Sequence, residues 1–129
     1  MATFRPFRGI RPVSDEVAAV ASRPYDVLDS VEAREEAAGN PLSFLRVVKP
    51  EIDLPPETDP YSAEVYAKGR ENFLAMVEAG TMFRDDAPSF YLYRLTMDGR
   101  SQVGVMGCCH VDEYYDGGIR KHELTRPLK

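Results

Sequence analysis

The chain has 129 residues, 43% hydrophobic and 29% charged, a balance that fits one folded domain or one piece of a larger protein and excludes a disordered chain. Sixteen basic against 21 acidic side chains leave a net charge of −5, which argues against nucleic-acid binding by bulk charge. No apolar run reaches the ~18 residues of a membrane span, the N-terminal MATFRPFRGIRPVSDE lacks the apolar core of a secretory signal, and the adjacent Cys108 and Cys109 make a poor staple, so a reducing cytoplasm is expected.

Thr3 to Pro12 alternates arginine and proline with Phe4, Phe7 and Ile10, and is predicted to run extended and dock by its apolar side chains. Ser14-Asp15-Glu16 places a cap and two acids at a helix start; that helix reaches about Ala21 and stops before Arg23-Pro24. RPYDV follows as a loop. DSVEAREEAAGN is a second short helix, capped by Asp29 or Ser30 and ended by Gly39-Asn40. SFLRVV, at Ser43 to Val48, is short and β-branched at its end and is predicted as a strand.

KPEIDLPPETDP holds four prolines in twelve residues and reads as a loop. Asp59-Pro60 opens the longest helix, with proline at its first position. Tyr61, Val65, Gly69, Phe73 and Val77 form its predicted face, Tyr66 and Met76 flank it, and Gly80 caps its end. Gly69, costly in a helix interior, predicts a close approach. Two strand-like runs then flank Asp98-Gly99, the strongest short hairpin signal. A two-residue turn pairs Tyr93 with Gly104 and Phe90 with Gly107, each aromatic filling space above a glycine. Both faces carry apolar groups, so the hairpin is expected at the centre of a covered sheet. DEYYDGG is a further turn, and Ile119-Arg120-Lys121 begins another strand. The fold class is α+β (or α/β): a mainly antiparallel sheet built on the Asp98-Gly99 hairpin, a helix over about 60–79 packed on it, and two shorter N-terminal helices.

Four clusters bear chemistry. Cys108 and His110 share a strand face, but two ligands are too few for a metal and sheet packing explains them better. Arg23, Tyr25 and Asp26 sit in a loop where the Tyr-Asp pair could bond a substrate hydroxyl or amine and the arginine an anion; a capped turn is the structural alternative. Arg5, Arg8 and Arg11 could read phosphate, or form a solvated arm. His122, Glu123, Thr125 and Arg126 are the densest set: histidine and glutamate can exchange protons near neutral pH. Thr125 resembles a helix cap whose N–H groups and neighbouring Arg126 suit an anion; a plain strand-to-helix junction is the alternative. No glycine-rich phosphate loop, HExxH, nucleophile elbow or zinc spacing is present.

FRPFRGIRP, RPYDVLDSVEAREEAAGNPLSFLRVVKPEIDLP, YRLTMDGRSQVGVMG and KHELTRP together resemble the bacterial and archaeal family called domain of unknown function 1015. The resemblance covers nearly the whole chain. Members of that family run to about 400 residues, so residues 1–129 read as a single N-terminal domain or fragment of a larger protein. A later segment of theirs, not found in this sequence, looks like the motif of the ParB/sulfiredoxin superfamily, which includes free-serine kinases, CTP-using partition proteins and ATP-using sulfiredoxins.

The resemblance implies nucleotide-linked phosphoryl transfer on serine or phosphoserine in the parent protein, with ADP or ATP and Mg²⁺. By position it implies catalytic roles for Asp26, His122 and Glu123, substrate or phosphate contacts from Tyr25, Asn40, Thr125 and Arg126, and no protein-held metal. Arg23 stands where the family usually has proline, and the long charged helix that follows Pro127 in the family is here only Leu128-Lys129. The expectation is that this chain alone is inactive, exposes apolar surface, and self-associates through it; a non-catalytic nucleotide-binding or protein-interaction module is the competing reading. No membrane and no nucleic acid is expected as a partner.

Overall fold

A computed structural model describes residues 2–120. Five helices and four strands follow in the order β1 (Ile10–Pro12), α1 (Val17–Val20), α2 (Ser30–Glu36), α3 (Leu45–Val48), α4 (Ala63–Glu78), β2 (Met82–Arg84), β3 (Tyr91–Met97), β4 (Arg100–Met106) and α5 (Asp112–Tyr115), with 3-10 turns at Tyr25–Val27 and Pro50–Asp53. Helices and small antiparallel ladders make this an α+β protein. β1 pairs with β2, and β3 with β4. The described residues fall into two compact units, one of residues 2–10 and 84–120, the other of residues 11–83.

The second unit is helical. Asp29 caps α2 by accepting the Val31 and Glu32 N–H groups at 3.0 and 2.9 Å, and Glu32 returns the bond to the Asp29 N–H at 2.9 Å. That reciprocal box satisfies N–H groups the helix cannot use internally. Two alanines four apart, Ala33 and Ala37, turn inward and are fully buried with Leu28, Leu45 and Ile52. Gly39 follows at φ +72, as its sequence position predicts. Arg34 fixes the Pro50–Asp53 turn by donating to the carbonyls of Glu51, Ile52 and Leu54. The Ile52 and Leu54 carbonyls gain a partner in this way, and the Glu51 carbonyl, which also accepts the Leu54 N–H at 3.2 Å, gains a second.

Residues 43–48 are not the predicted strand. They turn into α3, with Leu45 fully buried. The Arg46 guanidinium donates to the carbonyls of Ala37 at 3.0 Å and Asn40 at 3.1 Å and pairs with Asp53. Asn72 on α4 donates to the Arg46 carbonyl at 2.7 Å and to Asp53 at 2.9 Å. A β-branched run favours a strand only where a neighbouring strand pairs with it; here the partners are side chains of a turn and a helix.

α1 is a single turn, shorter than predicted, with Glu16 rather than Ser14 at its N-cap. α4 begins after Ser62 rather than at Pro60. The Asp59 side chain accepts the Tyr61 N–H and its carbonyl the Ser62 N–H, both at 2.9 Å, so Asp59-Pro60 forms a turn ahead of the helix. Its buried residues are Val65, Gly69 and Met76, while Tyr61 is 69% exposed and Val77 36%. A row of residues strictly four apart drifts by about 40° per step around a 3.6-residue helix, so the ends of the predicted face rotate out of the interface. α4 packs against α3 and the Pro50–Asp53 turn; the hairpin on which it is predicted to pack belongs to the other unit. Gly69 permits this approach: an added Cβ would lie 3.0 Å from the Val47 carbonyl oxygen and 3.1 Å from Pro50 Cγ.

The first unit is built on the β3–β4 hairpin. Asp98 (φ 51) and Gly99 (φ 76) both take the left-handed region, the geometry of a type I′ turn. The register pairs Tyr93 with Gly104, as predicted. The aromatic-over-glycine expectation fails in detail. Nothing but a backbone atom comes within 4 Å of a Cβ added at Gly104, and the space above Gly107 is taken by the ring of Phe4, which stacks on Phe90 at 5.2 Å. Nor is the hairpin central. It stands as a two-stranded ladder whose residues from Leu92 to Met106 are all exposed.

The N-terminal arm runs extended, as predicted, through antiparallel bridges between Arg5 and Cys108 and between Phe7 and Ser89. The Tyr91 hydroxyl accepts the Gly9 N–H at 2.6 Å and bonds Asp85 at 2.6 Å. Glu113 on α5 accepts the Thr3 hydroxyl at 2.6 Å and the Thr3 N–H at 2.9 Å. The hydroxyl bond, then the N–H bond, holds its carboxyl below the ordinary glutamate value. Residues 112–115, predicted as a turn, form the single-turn α5. The Ile119 N–H donates to the Glu113 carbonyl at 2.7 Å, and neither Ile119 nor Arg120 is in a strand, while Lys121 lies outside the described residues.

Candidate functional site

The loop before α2 is set by Pro24, after which Tyr25–Val27 close a 3-10 turn through the bond from Val27 N–H to the Pro24 carbonyl at 3.3 Å. Arg23 is committed to structure. Its side chain pairs with Glu36 at 2.5 Å and its N–H donates to the same carboxylate at 3.3 Å. Tyr25 is thus held half exposed, and it lines a groove of about 340 Å³ with Lys49, Glu51, Tyr61, Tyr66 and Arg70 among its neighbours.

Each of these side chains has a local reason to be there. Tyr66 and Arg70 are one helical turn apart on α4, so they share a flank. Tyr61 belongs to the turn ahead of that helix. Lys49 and Glu51 bracket Pro50 and are both largely buried, their charged ends 3.4 Å apart. Ser30, the first residue of α2, donates its hydroxyl to the same Glu51 oxygen at 2.8 Å. A buried carboxylate with a cation and a hydroxyl on it is compensated.

Three tyrosine rings offer flat apolar faces and hydroxyls to a planar ligand. Arg70, exposed on α4, supplies positive charge to an anion, beside the Lys49 ammonium that pairs with Glu51. The arrangement is suited to binding. Among the described residues no group of three or more His, Cys, Asp or Glu is placed to hold a metal ion.

Of the candidate site residues read from the sequence, Tyr25 is the only one among the described residues that lines this groove. Asp26 is exposed in the same 3-10 turn but is not among the lining residues. Asn40 is a joint: its amide donates to the Ala19 carbonyl at 2.7 Å and its side-chain oxygen accepts the Leu42 N–H at 3.1 Å. His122, Glu123, Thr125 and Arg126 lie outside the described residues. Arg8 donates to the Asp85 carbonyl at 2.7 Å, and the Arg11 guanidinium lies 4.8 Å above the Phe83 ring. Both are used within the fold rather than arrayed for phosphate. Cys108 and His110, expected to pack within a sheet, are both exposed. The sequence reading missed Lys49, Glu51, Tyr61, Tyr66 and Arg70. Lys49 and Glu51 sit in a proline-rich stretch, and Tyr61 was assigned to the buried face of α4. The available signal was three tyrosines and two cations around one proline-rich loop.

The family described as "Protein of unknown function (DUF1015)" matches residues 4–129. The chain belongs to this family. The DUF1015 match spans both compact units, and the PYD, GNP and KHELTRP motifs all fall inside it. No curated protein and no solved structure matches the chain. Among the described residues of this DUF1015 protein no helix is long and apolar enough to cross a membrane.

Proposed function

We propose that this chain supplies the ligand-binding part of a cytoplasmic protein related to the ParB/sulfiredoxin superfamily, which transfers a phosphoryl group between a nucleotide and serine or phosphoserine. The observation that carries the reading is the position of Tyr25. The aromatic residue of the PYD motif shares one groove with two further tyrosines, Lys49 and Arg70. Rings that can stack on a base and cations that can meet phosphate are what nucleotide capture requires. Asp26, His122 and Glu123 remain the proposed acid–base groups, with Asn40, Thr125 and Arg126 as proposed phosphate contacts. A contact from Asn40 would have to displace bonds it makes within the fold, since its side chain and both its backbone groups are engaged.

The groove does not fit Mg²⁺. That ion binds one or two carboxylates together with substrate phosphates, and the groove's buried carboxylate, Glu51, is taken by Ser30 and Lys49. No step is therefore routed through a metal, and this chain alone is inactive.

Calorimetric titration of the chain with ADP, ATP, serine and phosphoserine tests the reading. Binding of at least one nucleotide is expected, weakened about tenfold by Tyr25→Ala and by Arg70→Ala, the loss of roughly one stacking or charged contact. Failure of all four ligands to bind would remove the support. A second reading, a nucleotide-binding or interaction module without chemistry, is favoured by the engagement of Glu51. Binding without phosphorylated product in the parent protein selects it. Self-association through the exposed hairpin belongs to that reading, and sedimentation at rising concentration measures it.

A further inference from the structure

Wholly within the first unit, Thr3, Arg5, Cys108, Cys109, His110 and Glu113 line a second pocket of about 340 Å³. Both cysteines are free thiols and both are exposed. On a regular strand consecutive residues face opposite sides. Here β4 has ended at Met106, and two consecutive cysteines line the same pocket.

Cys108 is also the last residue tying the N-terminal arm to this end of the hairpin. Its N–H donates to the Arg5 carbonyl and its carbonyl accepts the Arg5 N–H, both at 2.9 Å. On the near side the Thr3 hydroxyl and N–H are held by Glu113. Adjacent residues place their Cα atoms about 3.8 Å apart, closer than the roughly 4.4–6.8 Å usual for a disulfide. A bond between them closes a small strained ring, and strained exposed disulfides are the readily reduced, switching kind.

We propose that Cys108 and Cys109 form a reversible thiol–disulfide site that exchanges with small-molecule disulfides of the glutathione type, and that closing it frees the N-terminal arm from Cys108. One cysteine thiolate attacks a sulfur of the small disulfide, whose S–S bond breaks and releases one thiol. The neighbouring thiolate attacks the resulting mixed disulfide and expels the second thiol. The two cysteines are oxidised, the small disulfide is reduced to two thiols, and the two cysteine protons leave with them. The peptide between Cys108 and Cys109 contains the Cys108 carbonyl. Twisting it to close the ring competes directly with the bond that carbonyl accepts from Arg5.

The test is incubation of the full 129-residue chain in glutathione buffers of rising oxidised fraction, read by peptide mass and by amide hydrogen exchange. The expected result is loss of two hydrogens from the peptide carrying both cysteines, reversed by reduced glutathione. With it the Arg5 and Cys108 amides exchange about tenfold faster, as local opening allows. Cys109→Ser, at an exposed position, takes up glutathione at Cys108 without that acceleration. A wild-type chain that yields only glutathione adducts or covalent dimers overturns the site. A closed ring with unchanged exchange at Arg5 and Cys108 overturns the release of the arm.

Discussion

Replacing Gly69 by alanine sets two known quantities against each other. Alanine in a helix interior is worth about 1 kcal/mol over glycine. The new methyl carbon, however, lies 3.0 Å from the Val47 carbonyl oxygen and 3.1 Å from Pro50 Cγ. Neither neighbour is the end of a flexible side chain: one is backbone of α3 and the other a proline ring. α3 and the Pro50–Asp53 turn must move back by a few tenths of an ångström, although Arg34, Arg46 and Asn72 fasten them in place. Overpacking of this kind costs typically ~1–3 kcal/mol, so the net expectation is a loss of about 1 kcal/mol, or about 4 °C in Tm for a chain of this length. Urea and thermal unfolding of Gly69→Ala provide the assay. Ala67→Gly, at an exposed position of the same helix, is the control and should lose about 1 kcal/mol from propensity alone. A Gly69→Ala chain that gains about 1 kcal/mol would show that only helix propensity operates there, and would refute the close approach of α4.

Tyr91→Phe removes the hydroxyl shared by Gly9 and Asp85 and should cost about 1–3 kcal/mol, because a part-buried donor and acceptor lose their partner; chemical denaturation measures it. Arg34→Lys replaces the planar guanidinium, whose two Nη groups reach three carbonyls, by a shorter ammonium whose three N–H groups diverge, and a similar loss of about 1–3 kcal/mol is expected by the same assay, with no recovery at high salt. The contact between Thr3 and Glu113 should depend on acid. Because the folded carboxyl is held below its ordinary value, the contact's contribution is intact above the unfolded glutamate pKa and is lost as pH falls through the lower folded value. Exchange at the Thr3 amide, followed by NMR, should accelerate over that acid range in the wild type and show no such step in Glu113→Gln.

What the sequence settles by itself is local. A cap at Asp29 or Ser30 ahead of an acidic first turn, and a two-residue turn at Asp98-Gly99 between alternating runs, are both readable because few backbone conformations satisfy either arrangement; that Asp29 takes the cap, with Glu32 returning the bond, is seen in the structure. The positive φ at Gly39, Gly80 and Gly99 belongs to the same class. Gly69 was legible as a close approach because glycine is expensive inside a helix, although what approaches it was not.

Tertiary structure decided the rest. Ser43 to Val48 has the composition of a strand, yet Arg46, Asp53 and Asn72 wind it into a helix, and all of their side-chain bonds cross at least six residues of chain. The hairpin's apolar residues announced a buried sheet, but burial depends on what comes to lie against a face, and no alternation pattern carries that information. The groove is the clearest instance. Tyr25 was readable from its motif. Its companions Lys49, Glu51, Tyr61, Tyr66 and Arg70 come from three separate segments, and they meet only because Gly69 lets α4 close on the Pro50 turn.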